Sequence, residues 1–198
     1  GWSYTGKVKD AIVDIATAPD KAKVVYYATK ANIYKSTDGG NRFVSLPANP
    51  GGVGSNNIEI TSIAIAPENS RYTLAVGTRD TDDSQFGGVY ILDETQVPPG
   101  WVDTNLGNYD VYALAFSPDF SADGQLVAVV TDESETLVTV KVSDAAWGAS
   151  IGEAKLEVAV TNSADIAFPS DYDASDPVLF VAIDASGDGD VFKINGAE

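Results

Sequence analysis

Residues 61–68 read TSIAIAPE, a short alternating apolar run closed by a proline and an acidic residue. The phrase returns as VDIATAPD at 13–20, YALAFSPD at 112–119 and ADIAFPSD at 164–171. The four prolines, Pro19, Pro67, Pro118 and Pro169, stand 48, 51 and 51 residues apart. A second apolar run follows each phrase (VVYYAT, TLAVGT, LVAVVT, LFVAID), and then a third (NIYKS, GVYIL, LVTVKV, DVFKI). An aromatic position, Phe43, Trp101 or Trp147, comes next in the first three units.

These runs alternate or stay apolar over four to seven residues. They are rich in Val, Ile, Tyr and Thr and bounded by Gly, Pro, Asp and Asn, which marks strands rather than helices. Proline at a strand's exit fits, because no ladder donor is needed there. Four-stranded units of about fifty residues, repeated in series, describe the blades of a β-propeller. A sandwich lacks such a recurring phrase, and solenoid coils are usually shorter.

The expected fold is therefore all-β, a β-propeller of four four-stranded blades in one domain, residues 1–198. The units run over 11–47, 60–103, 110–147 and 163–198, with Ile15, Ile63, Ala115 and Ala167 at equivalent inner places. Trp2 and Trp101 each precede their unit's proline by 17 residues. Residues 1–8 thus read as a fourth strand that closes the ring by completing the last blade beside Val191–Ile194. The alternative reading is a four-blade slice of a larger propeller.

Composition narrows the function. With no cysteine, the chain has neither disulfides nor thiolate chemistry, and with no histidine it lacks the usual general base and commonest zinc ligand. The absence of methionine leaves room for a signal peptide ahead of Gly1. No apolar run is long enough to span a bilayer as a helix. Twelve basic against 29 acidic residues give a formal charge of −17, which repels nucleic acid and anionic membranes. Such acidity reads as solubility outside the cell or as adaptation to salt, with cation binding the other reading.

One turn carries a motif. Residues 33–47, IYKSTDGGNRFVSLP, hold Ser-x-Asp-x-Gly-x-x-aromatic as Ser36, Asp38, Gly40 and Phe43. The stretch STDGGNRF resembles the Asp-box of bacterial-neuraminidase-type repeats, found in sialidases, sortilin-like receptors, some glycoside hydrolases and photosystem assembly factors. VSDAAWG at 142–148 is a shortened echo, and Phe43 replaces the family's usual tryptophan. The resemblance implies a secreted propeller in which the box is a fold element. The residues agree: Asp38 suits an Asx-type turn, Gly39 and Gly40 permit positive φ, and Phe43 packs beneath.

Catalytic patterns are wanting. Sialidases of this resemblance use three convergent arginines, whereas Arg42, Arg71 and Arg79 fall on different rims of the expected blades. No serine-hydrolase or phosphate-loop pattern is present. A glycosidase needs only two carboxylates, and 29 acidic residues offer too many pairs to choose among.

Ligand sites are expected on loops. Three loops between second and third strands are acidic: RDTDDSQFGG (79–88), TDESET (131–136) and DASGDGD (184–190). In the last, Asp184, Ser186, Asp188 and Asp190 alternate as in the start of a calcium loop, without its closing glutamate. A solvated Asp/Gly hairpin is the other reading of those residues. Acidic loops at 117–124 and 169–177 occupy the opposite rim. The long connection 45–59 reads either as a binding loop, a subunit contact or a tolerated insertion.

The function expected is a non-enzymatic extracellular or cell-surface scaffold for a protein or glycan partner, with calcium as a possible structural ion. The alternative is a fragment of a carbohydrate-active enzyme, a glycoside hydrolase built on Asp-box repeats.

Overall fold

The three apolar runs of each unit become antiparallel neighbours. The computed structural model describes residues 8–19, 21–55, 57–66, 73–93, 97–148, 153–156, 162–185 and 188–195. Blade 1 comprises β1 (Ile12–Thr17), β2 (Val25–Thr29), β3 (Ile33–Ser36) and β4 (Val44–Ser45). Blade 2 comprises β5 (Ile58–Ile65), β6 (Leu74–Asp80), β7 (Gly88–Asp93) and β8 (Gly100–Asp103). Blade 3 comprises β9 (Asp110–Phe116), β10 (Gln125–Thr131), β11 (Thr136–Val142) and β12 (Glu153–Leu156). Blade 4 has β13 (Ser163–Ala167), β14 (Val178–Ala185) and β15 (Asp188–Asn195) among the described residues. Within every blade the strands are paired in chain order. The one α-helix among the described residues, α1 (Phe120–Asp123), is a single turn.

This is the expected all-β, four-bladed propeller arrangement. The first strands pack in sequence, β1 on β5, β5 on β9 and β9 on β13. Three apolar cores lie between successive blades. Ala16, Tyr26 and Ala28 of blade 1 meet Ile63 and Val76 of blade 2. Ala64 and Ala75 meet Leu114 and Phe116. Ala113, Val127 and Val129 meet Ile166 and Val181. Each blade thus has a forward face toward the next blade and a rear face toward the preceding one. Burying one such Val, Leu, Ile or Phe contributes about 1.5–3 kcal/mol, so these interfaces dominate stability.

The pattern corrects one expectation. Ile15, Ile63, Leu114 and Ile166 are equivalent, pairing with Tyr27, Val76, Ala128 and Val181 and lying on the rear faces. Ala115 pairs with Val127 and Ala167 with Phe180, which puts both on forward faces beside the wrong partners for Ile15 and Ile63. A strand's period is two, so an offset of one residue turns the side chain to the other face. The third unit also extends past Trp147, because its fourth strand lies at Glu153–Leu156. The closing strand read at residues 1–8 falls almost wholly outside the described residues.

Polar contacts link the inner strands. The second carboxylate oxygen of Asp14 accepts the Ile63 N–H at 2.8 Å and the Ser62 hydroxyl at 3.1 Å. Ser62 Oγ in turn accepts the Leu114 N–H at 3.2 Å. These bonds fall beside a register shift in each of the first three blades, where a bulge interrupts the ladder and leaves an N–H to satisfy. The aromatic position adds a second link. Trp101 Nε1 donates to the Pro47 carbonyl at 2.9 Å, and Trp147 Nε1 donates to Thr104 Oγ1 at 3.1 Å, each reaching the preceding blade.

Residues 37–43 connect β3 to β4 in a tight turn. Ser36 Oγ donates to Asp38 Oδ1 at 2.8 Å and accepts the Gly40 N–H at 2.9 Å, while Asp38 Oδ1 accepts the Arg42 N–H at 3.0 Å. The Arg42 N–H, then the Ser36 hydroxyl, hold the Asp38 carboxyl below its usual range. Gly39 and Gly40 take φ of 77° and 86°. Phe43 sits edge-on to Tyr27 at 4.9 Å, and Tyr27 stacks on Tyr34 at 4.8 Å. The long connection is anchored on blade 2: Val53 is fully buried in the first core, and Gly51 lies so close to the Tyr90 ring that a Cβ would meet it at 2.3 Å.

Two substitutions test this packing. A Cβ at Gly77 would fall 2.6 Å from Val111 Cγ1, between blades 2 and 3. Gly77→Ala should therefore destabilise by about 1–3 kcal/mol through overpacking. Asp14→Ala, which strips two inter-blade bonds, should cost about 1–3 kcal/mol. Both are read as the denaturant midpoint; an unchanged midpoint contradicts the account.

Candidate functional site

The ends of β6, β9 and β10 bring an acidic cleft of about 490 Å³ to one rim, between blades 2 and 3. Asp80 closes β6, Asp110 opens β9, and Thr131 closes β10, so the fold sets these side chains side by side. Asp110 is buried, yet its Oδ1 accepts the Asp80 N–H at 2.8 Å and the Gly87 N–H at 2.9 Å. Burial pushes its carboxyl above the usual range despite those bonds, and Glu133 and Asp80 add to the rise. Asp80 Oδ1 accepts the Asp82 N–H at 2.8 Å. Glu133 receives the Ser84 N–H on both oxygens, at 2.8 and 2.9 Å, and so ties blade 3's loop to blade 2's.

The cations near this rim are already engaged. Arg79 bonds Tyr112 and reaches Glu59 at 3.4 Å, and Lys30 meets the same carboxylate at 3.0 Å. Burial opposes charge on Glu59, but Lys30 and Arg79 outweigh it and hold the carboxyl below its usual range. Beside the cleft, a hollow of about 570 Å³ is lined by Phe86, Gly107, Asn108, Tyr109 and Asp132. The Glu135 and Ser134 N–H groups hold the Asp132 carboxyl low. One rim thus offers hydrogen-bond acceptors next to aromatic surface.

Other sites named from the sequence are placed as follows. Ser36, Asp38, Gly39, Gly40 and Phe43 form the β3–β4 turn, at the other end of the sheets from the cleft. Arg42 belongs to that turn, Arg79 to the acidic rim, and Arg71 lies outside the described residues. Of the calcium candidates, Ser186 lies outside them too. Asp184 pairs with Gly189 and Asp190 with Ile183, so successive registers send the two carboxylates to opposite faces of the hairpin. Among the described residues no three acidic side chains form a metal-holding group. On the opposite rim, the Tyr172 hydroxyl donates to Asp123 Oδ2 at 3.1 Å and bridges blades 3 and 4. Burial, then the Asp123 charge, pushes its phenol up to about 12.

The acidic loops at 79–88 and 131–136 were legible in the sequence, whereas Asp110 and Tyr112 were not. Both lie within a strand whose alternation reads as ordinary packing. An acid opening an otherwise apolar strand was the available signal.

Asp110 generates a pH prediction. With its folded-state pKa raised, its contribution to stability is full below the ordinary carboxyl pKa of about 4 and is lost as pH rises through the raised value. Asp110→Asn keeps an oxygen for both N–H donors and removes the titration. Its melting temperature should gain on that of the native protein between pH 4 and pH 7. Asp110→Ala strands one buried and one half-buried donor and should cost about 1–3 kcal/mol throughout.

No family model matches the chain, and no curated protein matches it. Among solved structures it is similar to an ancestral GH74 enzyme, a β-propeller glycoside hydrolase, at 13% identity and a TM-score of 0.50. The match covers 94% of this chain and 31% of that one, so the chain spans about a third of the enzyme's length. A likeness at this identity bears on the fold alone.

Proposed function

We propose that the protein is a non-catalytic, extracellular or cell-surface propeller module that binds a glycan or protein partner on the rim of blades 2 and 3. The observation that carries this reading is the acceptor-rich cleft beside Phe86 and Tyr109 on one edge of the sheets. A sugar presents hydroxyl donors to carboxylates and an apolar ring face to aromatics, which suits a glycan best. The cleft's carboxylates accept backbone N–H groups of the neighbouring loops, which ties those loops together. The chain's charge of −17 disfavours anionic glycans, so the expected ligand is neutral or cationic.

Asp110, a buried carboxyl with a raised pKa, supports the second reading, a portion of a carbohydrate-active enzyme in which it serves as an acid. A panel of neutral and amino-sugar oligosaccharides separates the two. The binding module should give a calorimetric signal without release of reducing ends, and Tyr109→Ala should weaken binding about tenfold, roughly 1.4 kcal/mol. Hydrolysis abolished by Asp110→Asn would establish the enzyme instead. No binding to any member of the panel would overturn the glycan assignment.

A further inference from the structure

The β6–β7 loop of blade 2, residues 81–87, is held from blade 3. One oxygen of Asp110 takes N–H groups at both ends of the loop, from Asp80 at 2.8 Å and Gly87 at 2.9 Å. Glu133, in the turn between β10 and β11, takes its middle through the Ser84 N–H at 2.8 Å. Ser84 stands at φ 63°, a conformation that a non-glycine residue keeps only while its surroundings impose it. Residues 81–85 are exposed, so water is at hand to replace the Glu133 contact. Within its own blade the loop is anchored near its start. There the Thr81 N–H donates to the Asn57 carbonyl at 3.1 Å, and Asn57 Nδ2 donates to Asp82 Oδ2 at 2.6 Å.

We propose that this loop is a proton-controlled strap, drawn onto blade 3 when Asp110 is protonated and released when Asp110 ionises. The strap carries Phe86, so its position shapes the hollow that Phe86 forms with Gly107, Asn108, Tyr109 and Asp132. The consequence for a ligand rests on the reading of the rim as a glycan site; the strap itself does not.

The direction follows from what clasping does to Asp110. In the clasped state the residue is 5% exposed. Acids face it from each element around the cleft: Asp80 from β6, Asp82 and Asp83 from the loop, and Glu133 from the β10–β11 turn. Tyr112 of its own strand and Arg79 of β6 line the cleft as well, with Arg79 engaged by Tyr112 and Glu59. Burial, joined by the charges of Glu133 and Asp80, outweighs the two N–H bonds and lifts the Asp110 carboxyl above its usual range. Release of the loop hydrates that carboxyl and returns it toward its ordinary pKa of about 4. A proton held more tightly in the clasped state favours that state by the same factor. The gain is full below about pH 4, where Asp110 is protonated in both states, and is lost as pH rises through the raised value. The protonated carboxyl still accepts through its carbonyl oxygen, so both end bonds survive.

Amide hydrogen exchange of the full chain, read residue by residue by NMR and corrected for the intrinsic pH dependence of exchange, tests the strap without any ligand. The Ser84 and Gly87 N–H groups should lose protection between about pH 4 and about pH 8, with the midpoint at which the Asp110 carboxyl carbon itself titrates. In Asp110→Asn, which keeps an acceptor and cannot ionise, that loss should vanish. In Glu133→Gln, which removes a facing charge, both midpoints should move together to lower pH. The Gly40 N–H, held by Ser36 Oγ at the other end of the sheets, is the control for global unfolding. Protection that is flat with pH in the native protein, that changes alike in Asp110→Asn, or that Gly40 shares would each overturn the strap. Calorimetry with neutral oligosaccharides tests the consequence: native affinity should be greater at about pH 4 than at about pH 8, and independent of pH in Asp110→Asn. Equal native affinities at the two pH values would overturn control of binding by the strap. A loop that titrates while no oligosaccharide binds would overturn the glycan reading and leave the strap standing.

Discussion

The whole arrangement depends on apolar sheet faces that only another sheet can cover. A blade alone would leave two such faces in water, at about 25 cal/mol for each Å² of apolar surface. Successive blades remove that surface by packing a small residue of one first strand against a large one of the next. Interior blades accordingly bury both faces: β10 is buried at all seven positions. Blade 4, which meets only blade 3 among the described residues, alternates between buried and exposed along β14.

The polar chain from Asp14 through Ser62 to Leu114 solves a problem created by the same design. Bulges bend the inner strands and interrupt their ladders, which strands N–H groups close to the axis. A carboxylate or hydroxyl from the preceding blade meets them. At the third junction Ala113 offers no acceptor, and Ile166 donates to its own neighbour Asp165 instead. The interface survives there on apolar contact alone at that position, which indicates how the two contributions rank.

Loop chemistry is built on this frame. Asp110 is costly to bury as an anion, and its two N–H partners offset that cost only in part, since its carboxyl remains above the usual range. In return the loops of blades 2 and 3 are held in one shape. A rigid acceptor-rich rim needs little ordering when a ligand arrives, and that is where a propeller gains affinity.

The sequence by itself determined the blade count, the strand order and the β3–β4 turn. Those follow from period-two alternation, the spacing of four prolines, and the Asp-Gly-Gly chemistry of a tight reversal, all of which act locally. Only the tertiary structure decided which face each residue presents. Ala115 and Ala167 repeat in the phrase as well as Leu114 and Ile166 do, and one residue of offset separates forward from rear. It also decided that Asp110 meets Asp80, because residues 30 apart become neighbours only when two sheets dock. A repeat records what each blade offers its neighbour, but whether a neighbour stands there is a property of the assembled sheets.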